Sequence, residues 1–387
     1  MGSWLRKAAT PLLALALCAC TDFPGFGGGD ESTADKPAPL VAFKRGAKVI
    51  PRWQKLIGSS GAYVFSPVFA DDSIYAANEE GDLLRYDAAT GKLIWRVDTR
   101  HNLSGGVGAA HNLVLVGDLK GELLAFDNQG FLLWKSRLTS EILSSPQVAE
   151  GIVVVRTEDG RIFGLDAGDG KRKWVYQRNT PALSVRSFAS VTITRGGVFA
   201  GFAGGKLVAL EINSGNIGWE ATVALPRGTT ELERVTDITS TPVVDEERVC
   251  AVAFQGRVGC FDLLRGNLLW ARDISSISGL TLDDRNLYVS DDKGAVVALD
   301  KVSGASVWKQ NKLFARKISA PLSFGPYIVV ADYHGYVHFM SREDGSFAAR
   351  RATDGSRVSA APIALDKGLL VLTRDGGLYA MGIEPLQ

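Results

Sequence analysis

The stretch GDLLRYDAATGKLIW, residues 81–95, places a glycine, an acid, a second glycine and a tryptophan at offsets 0, 6, 10 and 14. The frame returns along the chain. Gly121, Asp127, Gly130 and Trp134 carry it in GELLAFDNQGFLLW, with one residue deleted from the turn, and Gly160, Asp166, Gly170 and Trp174 carry it in GRIFGLDAGDGKRKW. Gly205, Glu211, Gly215 and Trp219 follow in GKLVALEINSGNIGW, then Gly256, Asp262, Gly266 and Trp270, then Gly294, Asp300, Gly304 and Trp308. A decayed copy, GYVHFMSREDGSFAA, keeps Gly335 and Gly345 but has Ser341 for the acid and Ala349 for the tryptophan. The eighth, GGLYAMG, keeps only Gly376 and stops near the chain end.

Successive first glycines lie 40, 39, 45, 51, 38, 41 and 41 residues apart, the length of one four-stranded propeller blade. Within each unit short apolar segments alternate with turn clusters, and no 3.6-residue periodicity survives for ten residues. These features predict an all-β chain folded as an eight-bladed β-propeller of four-stranded antiparallel blades. In this reading the first glycine supplies the positive φ of the hairpin between the second and third strands, and the second glycine that between the third and fourth. The acid accepts backbone N–H groups of the latter turn. Trp95, Trp134, Trp174, Trp219, Trp270 and Trp308 then lie on outer strands, where an indole fills the gap between splayed blades.

The eighth copy lacks a fourth strand, whereas AKVIPRWQKLIG, residues 47–58, carries Trp53 ahead of the first full blade. This segment is expected to pair with the strand around 377–381, so that the N-terminal strand completes the last blade and closes the ring. Closure removes exposed sheet edges.

Upstream, MGSWLRKAATPLLALALCAC has a basic start at Arg6 and Lys7 and an apolar run too short to span a membrane, as in an export signal. Leu17-Cys18-Ala19-Cys20 resembles a bacterial lipobox, which implies a lipoprotein signal peptide over residues 1–19, acylation of Cys20 and outer-membrane anchoring facing the periplasm. Residues 20–46, rich in Gly, Pro, Ser and charge, are expected to form a flexible tether, and residues 47–387 the propeller.

Lysine plus arginine number 43 against 42 acids, so no net field recruits nucleic acid. His101, His111, His334 and His338 are the only histidines; none forms a convincing metal set, and no phosphate loop or nucleophile motif appears. No cofactor is expected. Cys250 and Cys260 lie on the two arms of one predicted hairpin, nearly symmetric about Gln255-Gly256. An oxidising compartment permits a cross-strand disulfide there, but a register error of one residue would turn the two side chains to opposite faces.

The repeat resembles that of propeller quinoproteins, an enzyme class that requires calcium ligands, a catalytic aspartate and commonly a vicinal disulfide, none of which can be placed here. A glycan-binding propeller would show clustered exposed aromatic residues; Phe65, Phe188, Phe314 and Tyr333 lie outside the strict repeat. The two longest spacings, 45 and 51, locate insertions containing QRNTPALSVRSFAS, residues 177–190, and PRGTTELERVTDITSTPVV, residues 226–244. With the lipobox, tether and eight repeats, these segments resemble the outer-membrane assembly lipoprotein family BamB over essentially the whole mature chain. The resemblance implies a non-catalytic scaffold that binds the periplasmic POTRA domains of the barrel subunit BamA. Leu183, Val185 and Arg186 match the family's contact loop, and Asp237 matches the first of two neighbouring acids, with Thr239 in place of the second. Unfolded outer-membrane protein clients are a further partner the platform could serve by strand addition.

Overall fold

The computed structural model describes residues 36–386, which form one compact unit from Pro37 onward. The segment read from sequence as a signal peptide, Cys20 and most of the expected tether lie outside the described residues. All the regular structure is β, in eight four-stranded antiparallel sheets. Blades 1 to 7 are consecutive meanders over residues 68–98, 103–137, 147–177, 192–222, 243–272, 279–310 and 322–352. Blade 8 combines three strands within 363–385 with the strand Ala47–Leu56. The innermost strands touch their neighbours in order, and the last, Ile363–Leu365, returns to the first, Val68–Ala70, so the ring is closed.

Closure follows the expected pairing. Ala47–Leu56 runs antiparallel to Gly377–Pro385, with Ala47 opposite Pro385, Trp53 opposite Ala380 and Leu56 opposite Gly377. Apolar residues of neighbouring blades form the core, so it is divided into layers between blades rather than gathered in one centre. The middle strands are buried on both faces, as Ser73–Ala77 and Tyr327–Ala331 are, whereas outer strands such as Leu93–Asp98 expose one side. Near-continuous apolar runs in the middle and alternation outside are the corresponding sequence patterns.

Among the described residues, each of the seven tryptophans locks its blade to the next. The Trp53 indole N–H donates to the Ala88 carbonyl at 3.0 Å, Trp95 to Asn128 at 2.9 Å, and Trp134 to Ala167 at 3.0 Å. Trp174 donates to Ile212 at 2.7 Å, Trp219 to Leu263 at 3.1 Å, Trp270 to Lys301 at 2.9 Å and Trp308 to Arg342 at 2.9 Å. The ring lies against the second repeat glycine of that neighbour: a Cβ at Gly215 would stand 2.5 Å from the Trp174 ring. Burying about 200 Å² of ring is worth at most roughly 5 kcal/mol. The hydrogen bond removes the penalty of a buried, unmet N–H.

The repeat acids serve the turns. Asp127 Oδ1 accepts the backbone N–H of Gln129 and Phe131, both at 2.9 Å, and Asp300 Oδ1 accepts that of Ser303 at 2.7 Å. One glycine departs from expectation. In the fifth blade Gln255 takes the positive φ, at 49°, while Gly256 is needed for space, since a Cβ there would meet the Ala224 and Ala253 methyls at 2.7 and 2.8 Å.

The body begins before Ala47. Residues 38–46, assigned from sequence to the tether, run over blades 6 and 7. Ala38 N–H donates to the Phe314 carbonyl and Gly46 N–H to Ala348, while Val41 and Phe43 pack against the apolar layer between the two blades. The composition of this stretch hides two apolar side chains at alternating positions, which is what docks it.

Candidate functional site

The two insertions meet on the face that carries the hairpins between second and third strands. Residues 178–191 connect the outer strand Arg172–Gln177 of blade 3 to the inner strand Thr192–Thr194 of blade 4. Residues 223–242 make the next such connection, from Ile217–Thr222 to Val243–Val244. Asp237 ties them together. Its Oδ2 accepts the Val185 N–H at 2.7 Å and its Oδ1 the Gly204 N–H at 3.0 Å. Further along, Ser190 N–H donates to Thr241 Oγ1 at 3.1 Å.

The four residues singled out from sequence therefore converge, but with different exposures. Leu183 is 41% exposed and the Arg186 side chain 49% exposed. Asp237, expected at the contact surface, is 3% exposed and lies beneath the loop with both oxygens on backbone N–H groups. It positions the loop. Thr239 is also buried, its hydroxyl donating to the Ile277 carbonyl at 3.1 Å in the wall of the axial channel.

Arg186 forms an ion pair with Glu141 of the preceding interblade loop at 2.6 Å. Beneath it, burial pushes the Glu158 carboxyl above its ordinary range against the charges of Arg156 and Arg186. Burial also pushes the Arg156 guanidinium down; it donates to the Gly201 carbonyl at 2.7 Å and covers the Phe202 ring at 5.2 Å. Glu141 and Glu158 carry no sequence signal that links them to residue 186, because the connection exists only once the segments entering and leaving blade 3 are brought together. The 229–234 segment forms a turn in which Glu233 accepts the Thr229 and Thr230 N–H groups at 2.8 and 3.1 Å, and these bonds hold its carboxyl below the usual range. The T-x-x-E spacing in the sequence is the signal for that turn.

One group of metal-ligating residues occurs among the described residues, His101, Asp118 and Glu122. His101 Nδ1 stands 3.0 Å from Asp118 Oδ2 and 3.5 Å from Glu122 Oε2. Asp118 Oδ1 already accepts the Lys120 and Glu122 N–H groups, and the Lys135 ammonium lies 3.3 Å from His101 Nε2. Asp291 and Asp332 cap the equivalent turns in the same way, so the group reads as a turn lock, and a neighbouring ammonium opposes a cation. Cys250 and Cys260 are directly opposite in the fifth blade and their sulfurs are joined, buried between blades 5 and 6. Of the aromatic residues outside the repeat, Phe65 is buried, Phe188 is half-buried, and Phe314 and Tyr333 are exposed.

Eight blades closed by a terminal strand, with two long loops locked together on one face, define a β-propeller built to present loops. Residues 79–310 match the sequence profile of the family described as outer membrane protein assembly factor BamB. A protein of that name from Nitrosomonas eutropha is 47% identical over 394 residues, covering 99% of this chain and 96% of its own length. The crystal structure of BamB from Moraxella catarrhalis superposes with a TM-score of 0.81 at 26% identity, covering 87% of this chain and 100% of that one. The chain belongs to the BamB family. A quinohemoprotein alcohol dehydrogenase from Comamonas testosteroni superposes with a TM-score of 0.70 at 14% identity, covering 86% of this chain and 76% of that one, and shares the propeller alone.

Proposed function

We propose that this chain is a non-catalytic scaffold lipoprotein of the outer-membrane β-barrel assembly complex, anchored through acylated Cys20 and facing the periplasm. It binds the POTRA domains of BamA through the 178–190 loop and so assists folding and insertion of outer-membrane barrels, whose unfolded chains are a further class of partner. The observation that carries this reading is the loop itself: Asp237 fixes its backbone at Val185 while Leu183 and Arg186 project from it. Leu183 and Val185 supply a small apolar contact, and Arg186 a guanidinium for a partner carboxylate. Its ion pair with Glu141 is half exposed, a kind worth about 0–1 kcal/mol, so Arg186 can exchange partners at little cost.

The test is capture from solubilised outer membranes, with bound proteins identified by mass spectrometry. The parent should recover BamA, and Arg186→Glu should lose it while melting within a few degrees of the parent. Asp237→Ala should also weaken capture, by loosening the loop, and should open residues 180–190 to proteolysis. If the parent recovers no barrel-assembly subunit, the scaffold reading gives way to a quinoprotein-like enzyme or a glycan-binding propeller.

A further inference from the structure

We propose that the axial cavity on the loop-bearing face binds an extended acidic peptide segment. The cavity, about 500 Å³, is lined by residues of several blades around the axis, among them Ser66, Ser278, Leu322 and Arg357. A second cavity of about 250 Å³ lies between residues 60–65 and blade 8. The two share Val64, Phe188, Arg357, Ser359 and Ala360, and so form one elongated depression.

Charge singles it out. Arg186, Arg357 and Arg374 line it, and no aspartate or glutamate does. Thr239 contributes to this neutral wall at the position where the family resemblance would place an acid. Arg186 is paired with Glu141, but among the described residues neither Arg357 nor Arg374 has a carboxylate within ion-pairing distance. Both are nevertheless held. The Arg357 guanidinium lies 5.4 Å over the Tyr333 ring, Arg374 N–H donates to the Arg357 carbonyl at 2.7 Å, and Arg374 Nε donates to the Gly61 carbonyl at 2.9 Å. Arg357 and Arg374 are exposed, and unpaired guanidinium groups held along a concave surface attract carboxylates and can hold them bidentately.

The shape selects the occupant. A compact dianion would leave most of the depression empty, whereas an extended chain can follow it from Arg374 towards the axis. Along that path Tyr63 and Phe188 offer aromatic surface, and Ser359 and Ser278 offer hydroxyls to the backbone. Arg186 and Phe188 of the 178–190 loop line the same depression, but Arg357 and Arg374 come from the connection into blade 8 and from blade 8 itself, so replacing them leaves that loop unaltered.

The experiment is fluorescence anisotropy on the full-length protein, with a short fluorescein-labelled peptide in which glutamate alternates with tyrosine. Saturable binding is expected, with about tenfold loss when glutamine replaces glutamate in the peptide and a similar loss in Arg357→Gln/Arg374→Gln. Capture of BamA by that variant should be unchanged. The double lysine variant keeps the charge and should recover part of the affinity, which also carries the test if the glutamine pair fails to fold. Equal affinity for the glutamate and glutamine peptides, or an unaffected double glutamine variant, would overturn the proposal. Complete displacement by equimolar inorganic phosphate would also overturn it, by reducing the site to a general anion pocket.

Discussion

Seven of the eight blade junctions are built alike and one is not. From blade 8 to blade 1, and onward to the junction of blades 6 and 7, an outer-strand tryptophan reaches the last turn of the following blade, rests on its glycine and donates to a carbonyl there. Blade 7 has Ala349 instead. The blade that follows it has no turn between its third and fourth strands, because its fourth strand arrives from the N-terminus. A tryptophan at 349 would find no socket. The decay of the seventh repeat is thus a consequence of ring closure rather than of drift.

Other contacts occupy that region. Gly46 N–H bonds the Ala348 carbonyl, and Leu386 N–H bonds the Gly46 carbonyl. On the other side of blade 7, which faces blade 6, is a buried charged group. Asp332, fully buried, accepts from Arg316 Nε at 2.6 Å and pairs with His338 Nε2 at 2.9 Å, and Arg350 Nε bonds His338 Nδ1 at 3.1 Å. The two arginines also donate to the Ala38 and Val41 carbonyls at 3.0 and 3.1 Å. The segment that leads into the closing strand is thus tied over the blade 6–7 junction by guanidinium groups, in addition to that junction's tryptophan.

The largest test of the contrast is deletion of residues 47–58, which removes the outer strand of blade 8 and, with Trp53, the lock onto blade 1. Cooperative thermal unfolding should be lost, and an unchanged melting temperature would refute closure by this strand. Next comes a regular junction. Trp174→Ala should cost about 3–5 kcal/mol, measured by denaturant unfolding, through a cavity between blades 3 and 4. Ala349→Trp should not stabilise, since blade 8 has no turn to receive it; a gain would show that the two kinds of junction are interchangeable. Where residues 38–43 dock between blades 6 and 7, Arg316→Met leaves buried Asp332 short of its guanidinium partner and should cost about 3 kcal/mol.

Much of this was legible in the chain because the repeat writes the same local chemistry many times. Glycine spacing gave blade number, and the lone Trp53 with the truncated last copy gave closure. Val41 and Phe43 escaped because two apolar residues in a Pro- and charge-rich stretch have no periodicity to reveal them. At the candidate site the loop residues could be picked out by insertion length and resemblance, but burial divides their roles. Asp237 is an acid in a loop, a pattern equally suited to a surface contact and to a backbone cap, and only the approach of the two loops decides for the cap. Arg357 and Arg374 have no motif at all; what marks them is that no described carboxylate comes within ion-pairing distance of either, a property of the assembled ring.

The smallest effect expected is a pH dependence confined to the place where residues 38–43 dock between blades 6 and 7. Burial pushes His338 below its ordinary value, and Arg350 and Arg316 add to this, more than the bond to Asp332 restores. A histidine depressed in the folded state takes up its proton first in the unfolded chain. As pH falls below about 6.5 the unfolded chain therefore binds a proton that the folded chain refuses, and stability declines. Asp332 acts in the same direction at lower pH: burial raises it, but His338, the Tyr336 N–H and Arg316 outweigh that and hold it below the usual carboxylate range. Its contribution is present above the unfolded value and is lost as pH falls through the folded one. Melting temperature should thus drop between about pH 7.5 and about pH 5.5, and His338→Gln, though less stable throughout, should show a flatter slope. A slope identical to the parent's would mean that His338 is not the group sensing pH. A Trp174→Ala control should keep the parent's slope, because its junction contains no buried histidine.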